Sequence, residues 1–208
     1  MRDETEPGVM ARGGGNGWRR ARRLSRGSGL ALCCWLGAAS AGAVAVEDVS
    51  DAQLAARLGS RDYRVCEAAA ARILQRGERM VGPLLALEGH TQGYAGALGN
   101  PLGSMSTVAP FQKGPLTREQ RERVVTVEAA ALYLVSAIYA GSLQFASSAL
   151  LTDLDIAAVE RQAANKPEYL ARGFASARRW SEALSREGLR ALRDRGEDPL
   201  KSAHLSFW

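Results

Sequence analysis

Two helices joined by a turn are written into residues Asp51 to Leu87, DAQLAARLGSRDYRVCEAAAARILQRGERMVGPLLAL. Leu54, Ala55 and Leu58 fall on one side of a short first helix, with Ser50 as its N-cap and Gly59 as its stop. Ser60 or Asp62 caps a second helix that runs to about Gln75. Val65, Ala69 and Ile73 lie four apart on its apolar side, with Ala68 beside them, and the alanines from Ala68 to Ala71 suit a close neighbouring helix. Arg72 sits at the edge of that face, its stem along the protein and its head in solvent. Gly77 is placed as the C′ residue, and a further helix around Glu78 to Leu87 presents Met80, Val81, Leu84 and Leu85. A pair of this size buries only part of its apolar surface alone, so other helices must pack against it.

The stretch resembles a HEAT or HEAT-like repeat. The residues that carry the resemblance are the leucine-bearing first helix, the turn with Asp62, Val65, Ala68-Ala69, Leu74, Gly77 and Pro83-Leu84-Leu85. The resemblance covers residues 51–87 only. It implies an α-helical stacking unit used for protein binding and implies no catalytic residue.

Charge separates the N-terminal segment from the rest. Of 27 basic and 22 acidic side chains, seven arginines and three acids lie within residues 1–45, leaving 20 and 19 in the remainder. A nucleic-acid binder would keep its basic excess in the folded part, so no nucleic-acid partner is expected. WRRARRLSRG precedes a charge-free stretch, and Ala43 and Ala45 form an A-x-A cleavage site before Val46. Residues 1–45 therefore read as an export signal, giving a periplasmic or extracellular product. The alternative is an uncut segment that anchors the chain in the membrane. Arg22-Arg23-Leu24-Ser25 matches a twin-arginine signal only in part, and neither Cys33 nor Cys34 follows a small residue as a lipidation site would require. Cleavage leaves Cys66 as the sole cysteine, so no disulfide framework is expected, and its alanine-rich surroundings mark it as a small buried residue.

Residues 88–116 form a Gly/Pro-rich loop with six glycines and three prolines. Its glycines lack the Gly-Lys-Ser/Thr ending of a phosphate loop. His90, Tyr94 and Phe111 give it side chains suited to partner contact. Beyond it, Thr117 and Gln120 have capping-box spacing and open a helix through EQRERVVTVEAAALYLVSAIYAG. No charge occurs over the 24 residues from Ala129 to Thr152. That length suffices to cross a bilayer, yet Gly141-Ser142, Gln144, Ser147 and Ser148 dilute it. The reading adopted is two buried helices with a turn at Gly141-Ser142, and the alternative is a membrane-associated segment at 129–152.

DLDIAAVERQAANK reads as an amphipathic helix with Leu154, Ile156 and Val159 on an uneven apolar face. Pro167 is placed at N1 of the next helix, where Leu170, Phe174, Ala177, Trp180 or Ser181, and Leu184 recur at helical spacing. Leu189 and Leu192 continue after Gly188. The apolar tail KSAHLSFW either docks back or contacts a partner, and Trp208 is a candidate anchor.

Chemistry has thin support. Two histidines and one cysteine beyond the signal supply no zinc spacing, and neither GxSxG nor SxxK is present. Glu128, the one carboxylate in an apolar helical region, is expected at the edge of the core. Tyr133 and Tyr139 are expected in the core with hydroxyls at its rim. No catalytic, cofactor or metal residue is expected, nor a small-molecule ligand. The architecture expected is all-α, a short stack of antiparallel helix pairs (an α-solenoid of HEAT-like type or an irregular bundle). Residues 46–87 and 117–208 pack as one domain around the 88–116 loop. The function expected is a non-catalytic exported scaffold or adaptor for another protein, with His90, Tyr94, Phe111 and Trp208 as candidate contacts. The alternatives are the membrane-associated component and an enzyme with its site under the loop, using Glu128 or His90.

Overall fold

The computed structural model describes residues 49–99, 117 and 124–208. The chain divides into two compact units, Met1–Val44 and Ala45–Trp208, and every described residue belongs to the second. The expected export signal, Phe111, most of the Gly/Pro-rich loop and Gln120 of the expected capping box lie outside the described residues.

Ser50 opens α1 (Asp51–Ala56) with a reciprocal capping box: its hydroxyl accepts the Gln53 N–H, and the Gln53 side chain accepts the Ser50 N–H. A 3-10 turn at Arg57–Gly59 follows. Of the two candidate caps, Asp62 is the one that begins α2 (Tyr63–Arg76), accepting the Arg64 N–H at 2.8 Å. The buried face of α2 is Cys66, Ala69, Ala70 and Ile73, with Val65 only half-buried and Ala68 exposed. The face is thus rotated by one position from the expected one. The Cys66 thiol packs onto the preceding turn, within 3.6 Å of the Leu58 carbonyl and 3.3 Å of that of Ser60. Arg76 and Arg79 both donate to Asp51, at 2.6 and 2.8 Å, and tie the end of the pair to its start. Gly77, at φ +62°, stops α2. A 3-10 turn at Gly77–Met80 then leads into α3 (Val81–Leu85), shorter than expected but burying the expected Met80, Val81, Leu84 and Leu85.

Of the helix expected from Thr117, the described residues show the part from Val127 onward, and Val124 to Thr126 are not helical. Val124 to Thr126 are extended, α4 spans Val127–Ala140, and Thr126 caps it by accepting the Ala129 N–H at 3.3 Å. Three β-branched residues in a row favour extended backbone. Their partner is Gln92–Tyr94: Tyr94 N–H donates to the Val125 carbonyl and Val127 N–H to that of Gln92, each at 2.9 Å. Tyr94 is thereby turned into the core, 0 % exposed, its hydroxyl without a hydrogen-bond partner among the described residues. Tyr94→Phe should therefore leave folding stability unchanged or raise it by about 1 kcal/mol, since it removes an unmet buried donor. A loss of that size in denaturant unfolding would show the hydroxyl to be paired.

From Ala129 to Ile138 every residue of α4 is buried, and the helix packs against α2, α3 and α5 (Pro167–Glu187). Gly141, at φ +78°, ends it. The second buried helix expected after Gly141-Ser142 does not form. Residues 142–150 are turns and bends, and Leu151–Asp153 is a strand, β1. The charge-free run is thus divided, and no helix among the described residues is long and apolar enough to cross a membrane.

The helix expected over DLDIAAVERQAANK is also absent. Asp153 accepts the Asp155 N–H at 3.0 Å, a local turn that competes with helix, and Arg161 donates to the Leu154 and Ile156 carbonyls. Val159 is left 95 % exposed. Buried Asn165 joins three segments, donating to the Val124 and Ala149 carbonyls and accepting the Leu151 N–H. Pro167 then opens α5 at N1, with Leu170, Phe174, Ala177, Trp180 and Leu184 buried as expected. Gly173 lets α5 approach α4, because a Cβ there would lie 2.6 Å from Leu132 Cδ2. After Gly188 comes α6 (Leu189–Asp194). Arg193 on α6 caps the far end of α4, donating to the Tyr139 and Ile138 carbonyls at 2.6 and 2.8 Å. The tail docks back: a 3-10 turn at Lys201–Ala203 precedes β2 (Leu205–Phe207), antiparallel to β1 with Leu151 opposite Phe207 and Asp153 opposite Leu205. The fold is mostly helical, with this one small two-stranded sheet among the described residues.

Candidate binding site beneath the C-terminal strand

Leu205 and Phe207 point their side chains inward from β2 and are buried. Phe207 meets the Tyr133 ring edge-on at 5.0 Å and Phe145 at 6.1 Å, and Tyr133 and Phe145 are 4.7 Å apart. Tyr133 donates to the Leu143 carbonyl at 2.6 Å, fixing the turn that carries Phe145. Burial pushes the Tyr133 hydroxyl up to about 12. Its ring is wholly buried, while Tyr139 reaches the rim as expected and meets Trp180 edge-on at 6.2 Å.

Between α4, this turn and the tail lies a cavity of about 480 Å³. Ser136, Tyr139 and Ala140 line it from one face of α4, Phe145 and Ala146 from the turn, and Leu200 and Leu205 to Phe207 from the tail. Leu154, Asp155, Asp198, Lys201 and His204 complete its lining.

An ionic network braces the Asp153–Leu205 end of the β1–β2 pair. Arg172 donates to Asp153 at 2.7 Å and to the Ala203 carbonyl at 2.6 Å, and lies 3.6 Å from Asp155. His204 adopts a left-handed backbone (φ +51°) that brings its Nδ1 within 2.7 Å of Asp155 Oδ1. The Leu154 N–H donates to the His204 carbonyl at 2.8 Å. The hydrogen bond from Arg172 holds the Asp153 carboxyl below the usual carboxylate range, against the opposing effect of burial. Because the folded value is the lower one, the unfolded chain takes up this proton first as the pH falls. The stabilisation is therefore present at neutral pH and lost through and below the ordinary Asp range. Asp153→Asn should flatten the dependence of unfolding free energy on pH between roughly pH 5 and 3. An unaltered slope would show that the pair contributes no proton-linked stability.

A histidine oriented by a carboxylate is the arrangement of a general base, but a reaction also needs a nucleophile or substrate proton within its reach. His204 Nε2 has no hydrogen-bond partner among the described residues. The dyad by itself therefore assigns no catalytic step.

The residues singled out from the sequence are dispersed. His90 is exposed, and its backbone belongs to a clasp: Glu128 N–H donates to the His90 carbonyl, and Gly89 N–H donates to the Glu128 carboxylate at 2.9 Å. Glu128 thus sits half-buried, tying a turn to the start of α4. Tyr94, expected as a contact residue, is a core residue, because the pairing of its backbone with Val125 turns the ring inward. Trp208 stands 59 % exposed directly after the cavity-lining Phe207. Its N–H donates to the Leu150 carbonyl and its carbonyl accepts the Ser148 N–H. Cys66 is free and buried, and burial raises its thiol. Among the described residues no group of three His, Cys, Asp or Glu is placed to hold a metal. Sequence reasoning missed the Asp155–His204 pair, whose partners lie 49 positions apart. Compared with protein-family models, curated proteins and solved structures, the chain matches none of them.

Proposed function

We propose that this chain is a non-catalytic, exported helical adaptor that holds another protein against the face formed by its β1–β2 strand pair and C-terminal tail. The observation that supports the reading is Trp208, an exposed aromatic whose backbone is fixed on both sides by the Ser148 and Leu150 hydrogen bonds. A large side chain presented from fixed backbone loses little freedom on binding, which favours it as an anchor. Half-exposed Leu154, at the other end of the β1–β2 pair, extends the apolar surface. Within this reading α1 and α2 form one HEAT-like stacking unit, which the Asp62-capped turn and the small-residue face of α2 support.

Export is tested by N-terminal sequencing of the product: a mature start at Val46 is expected, and retention of the arginine-rich segment would contradict it. Partner binding is tested by a photo-crosslinking residue placed at 208 or, as control, at exposed Arg61 in the producing cell. A discrete adduct with one protein at 208 and none at 61 is expected. No adduct at 208, or the same adducts at both positions, would overturn the reading.

A further inference from the structure

The first helix pair carries positive charge that no carboxylate answers. Arg57, Arg61, Arg64 and Arg72 fall between the end of α1 and the later half of α2. Three of them are exposed and Arg72 is half-buried, and none of their guanidinium groups has a hydrogen bond or ion pair among the described residues. The two carboxylates in the same stretch are turned to backbone donors. Asp62 accepts the Arg64 N–H at 2.8 Å, and Glu67 accepts the Ala97 N–H at 2.7 Å. Arginines elsewhere are answered: Arg76 and Arg79 by Asp51, Arg172 by Asp153, and Arg195 by Glu187 and Glu197. Arg64 and Arg72 lie on one side of α2 with exposed Ala68 midway between them, so only a methyl group stands in the space between the two charges. Arg57 and Arg61 flank the turn that leads into α2, and Tyr63, 45 % exposed, stands at the same end.

Charge complementarity makes the partner anionic, and the charge balance of the whole molecule narrows its kind. Residues 46–208 hold 20 basic and 19 acidic side chains, so the molecule as a whole exerts little long-range pull on a free polyanion. A plane of charge acts differently. With a Debye length of about 8 Å at physiological salt, it responds to the face turned toward it and little to acids elsewhere on the molecule. Tyr63 favours the same partner, because a tyrosine among arginines suits the boundary of a membrane, with the ring at the level of the headgroups. We infer that the α1–α2 face is a peripheral docking site for an anionic phospholipid surface. Its arginines meet the lipid phosphates, and Tyr63 enters the headgroup layer. This contact differs from the membrane alternative at 129–152, needs no spanning helix, and does not depend on the adaptor reading.

The test uses the chain as purified from the producing cell, sedimented with phosphatidylcholine vesicles that contain either no phosphatidylglycerol or about a third of it. Binding is expected to the anionic vesicles only, and should be lost at about 1 M salt, where the Debye length falls to about 3 Å. Arg61→Gln with Arg64→Gln should weaken partitioning roughly 30-fold, about five-fold for each charge at the surface. Arg186→Gln with Arg190→Gln removes the same charge from an exposed stretch that also holds Glu182, Glu187 and Asp194, and should change partitioning less than about two-fold. The seven arginines of residues 1–45 are common to both pairs, so the comparison holds whether or not that segment is removed. Arg61→Lys with Arg64→Lys should bind like wild type, because a charged plane requires the charge and not the guanidinium fork. Melting temperatures of all variants should match wild type. The inference is overturned by a folded wild-type chain that does not bind anionic vesicles, or by equal losses in the two glutamine pairs. Tighter binding to poly-glutamate or a short DNA duplex than to vesicles of equal anionic charge would also overturn it, by assigning the face to another class of partner. The adducts at position 208 report on the adaptor reading separately, since Trp208 lies outside α1 and α2.

Discussion

Phe207→Ala should cost about 3–5 kcal/mol of folding stability, the range for removing a buried phenylalanine. The ring is buried and makes contacts with both Tyr133 and Phe145, so its loss opens the aromatic cluster behind the β1–β2 pair. Partial collapse of the turn at 142–146 would not refill the space, because the Tyr133 hydroxyl holds that turn through the Leu143 carbonyl. Urea unfolding of the variant beside wild type measures the difference. A change below about 1 kcal/mol would mean that the tail is an appendage and not a wall of the core. Alkaline titration offers an independent check on the same cluster. The Tyr133 hydroxyl is raised in the folded state, so its contribution is complete below the ordinary tyrosine value and is lost as the pH rises toward about 12.

Gly99→Ala should cost about 3 kcal/mol, combining backbone strain with a collision. Gly99 has φ +88°, and a Cβ there would lie 2.8 Å from the Ser147 carbonyl carbon and oxygen and 2.9 Å from the Ser148 nitrogen. Those are main-chain atoms, and Ser148 N–H is held by the Trp208 carbonyl at 2.7 Å, so the obstacle cannot swing aside as a side chain would. Gly82→Ala is the control, since a Cβ there meets nothing within 4 Å. Equal melting temperatures for the two variants would contradict the close approach at Gly99.

The parts of this fold legible in the sequence are those determined by local chemistry. Ser50 and Asp62 as caps, Gly77 and Gly141 as stops, Pro167 at N1 and the spacing from Leu170 to Leu184 each follow from a residue's own backbone or periodic preference. The errors lie where distant segments decide. Val124 to Thr126 became extended because Gln92 and Tyr94 supply partners, and Leu151 became strand because the last residues of the chain return to pair with it. Asn165 ties together Val124, Ala149 and Leu151, a junction with no periodic signature. The candidate site was harder still to read. Trp208 was picked out for its size and its place in the tail, whereas Tyr94 looked like a loop residue until its backbone pairing turned it inward. The Asp155–His204 pair forms only once the tail has paired with β1.

Partner affinity with and without the Trp208 side chain tests the adaptor account most directly. The protein crosslinked at 208 would be titrated against the wild-type chain and Trp208→Ala, with melting temperatures recorded for both. The account predicts a loss of affinity of at least about 10-fold, as for an aromatic hot spot, with little change in melting temperature. Equal affinities for the two chains would contradict it and would place the partner's contact elsewhere on the molecule.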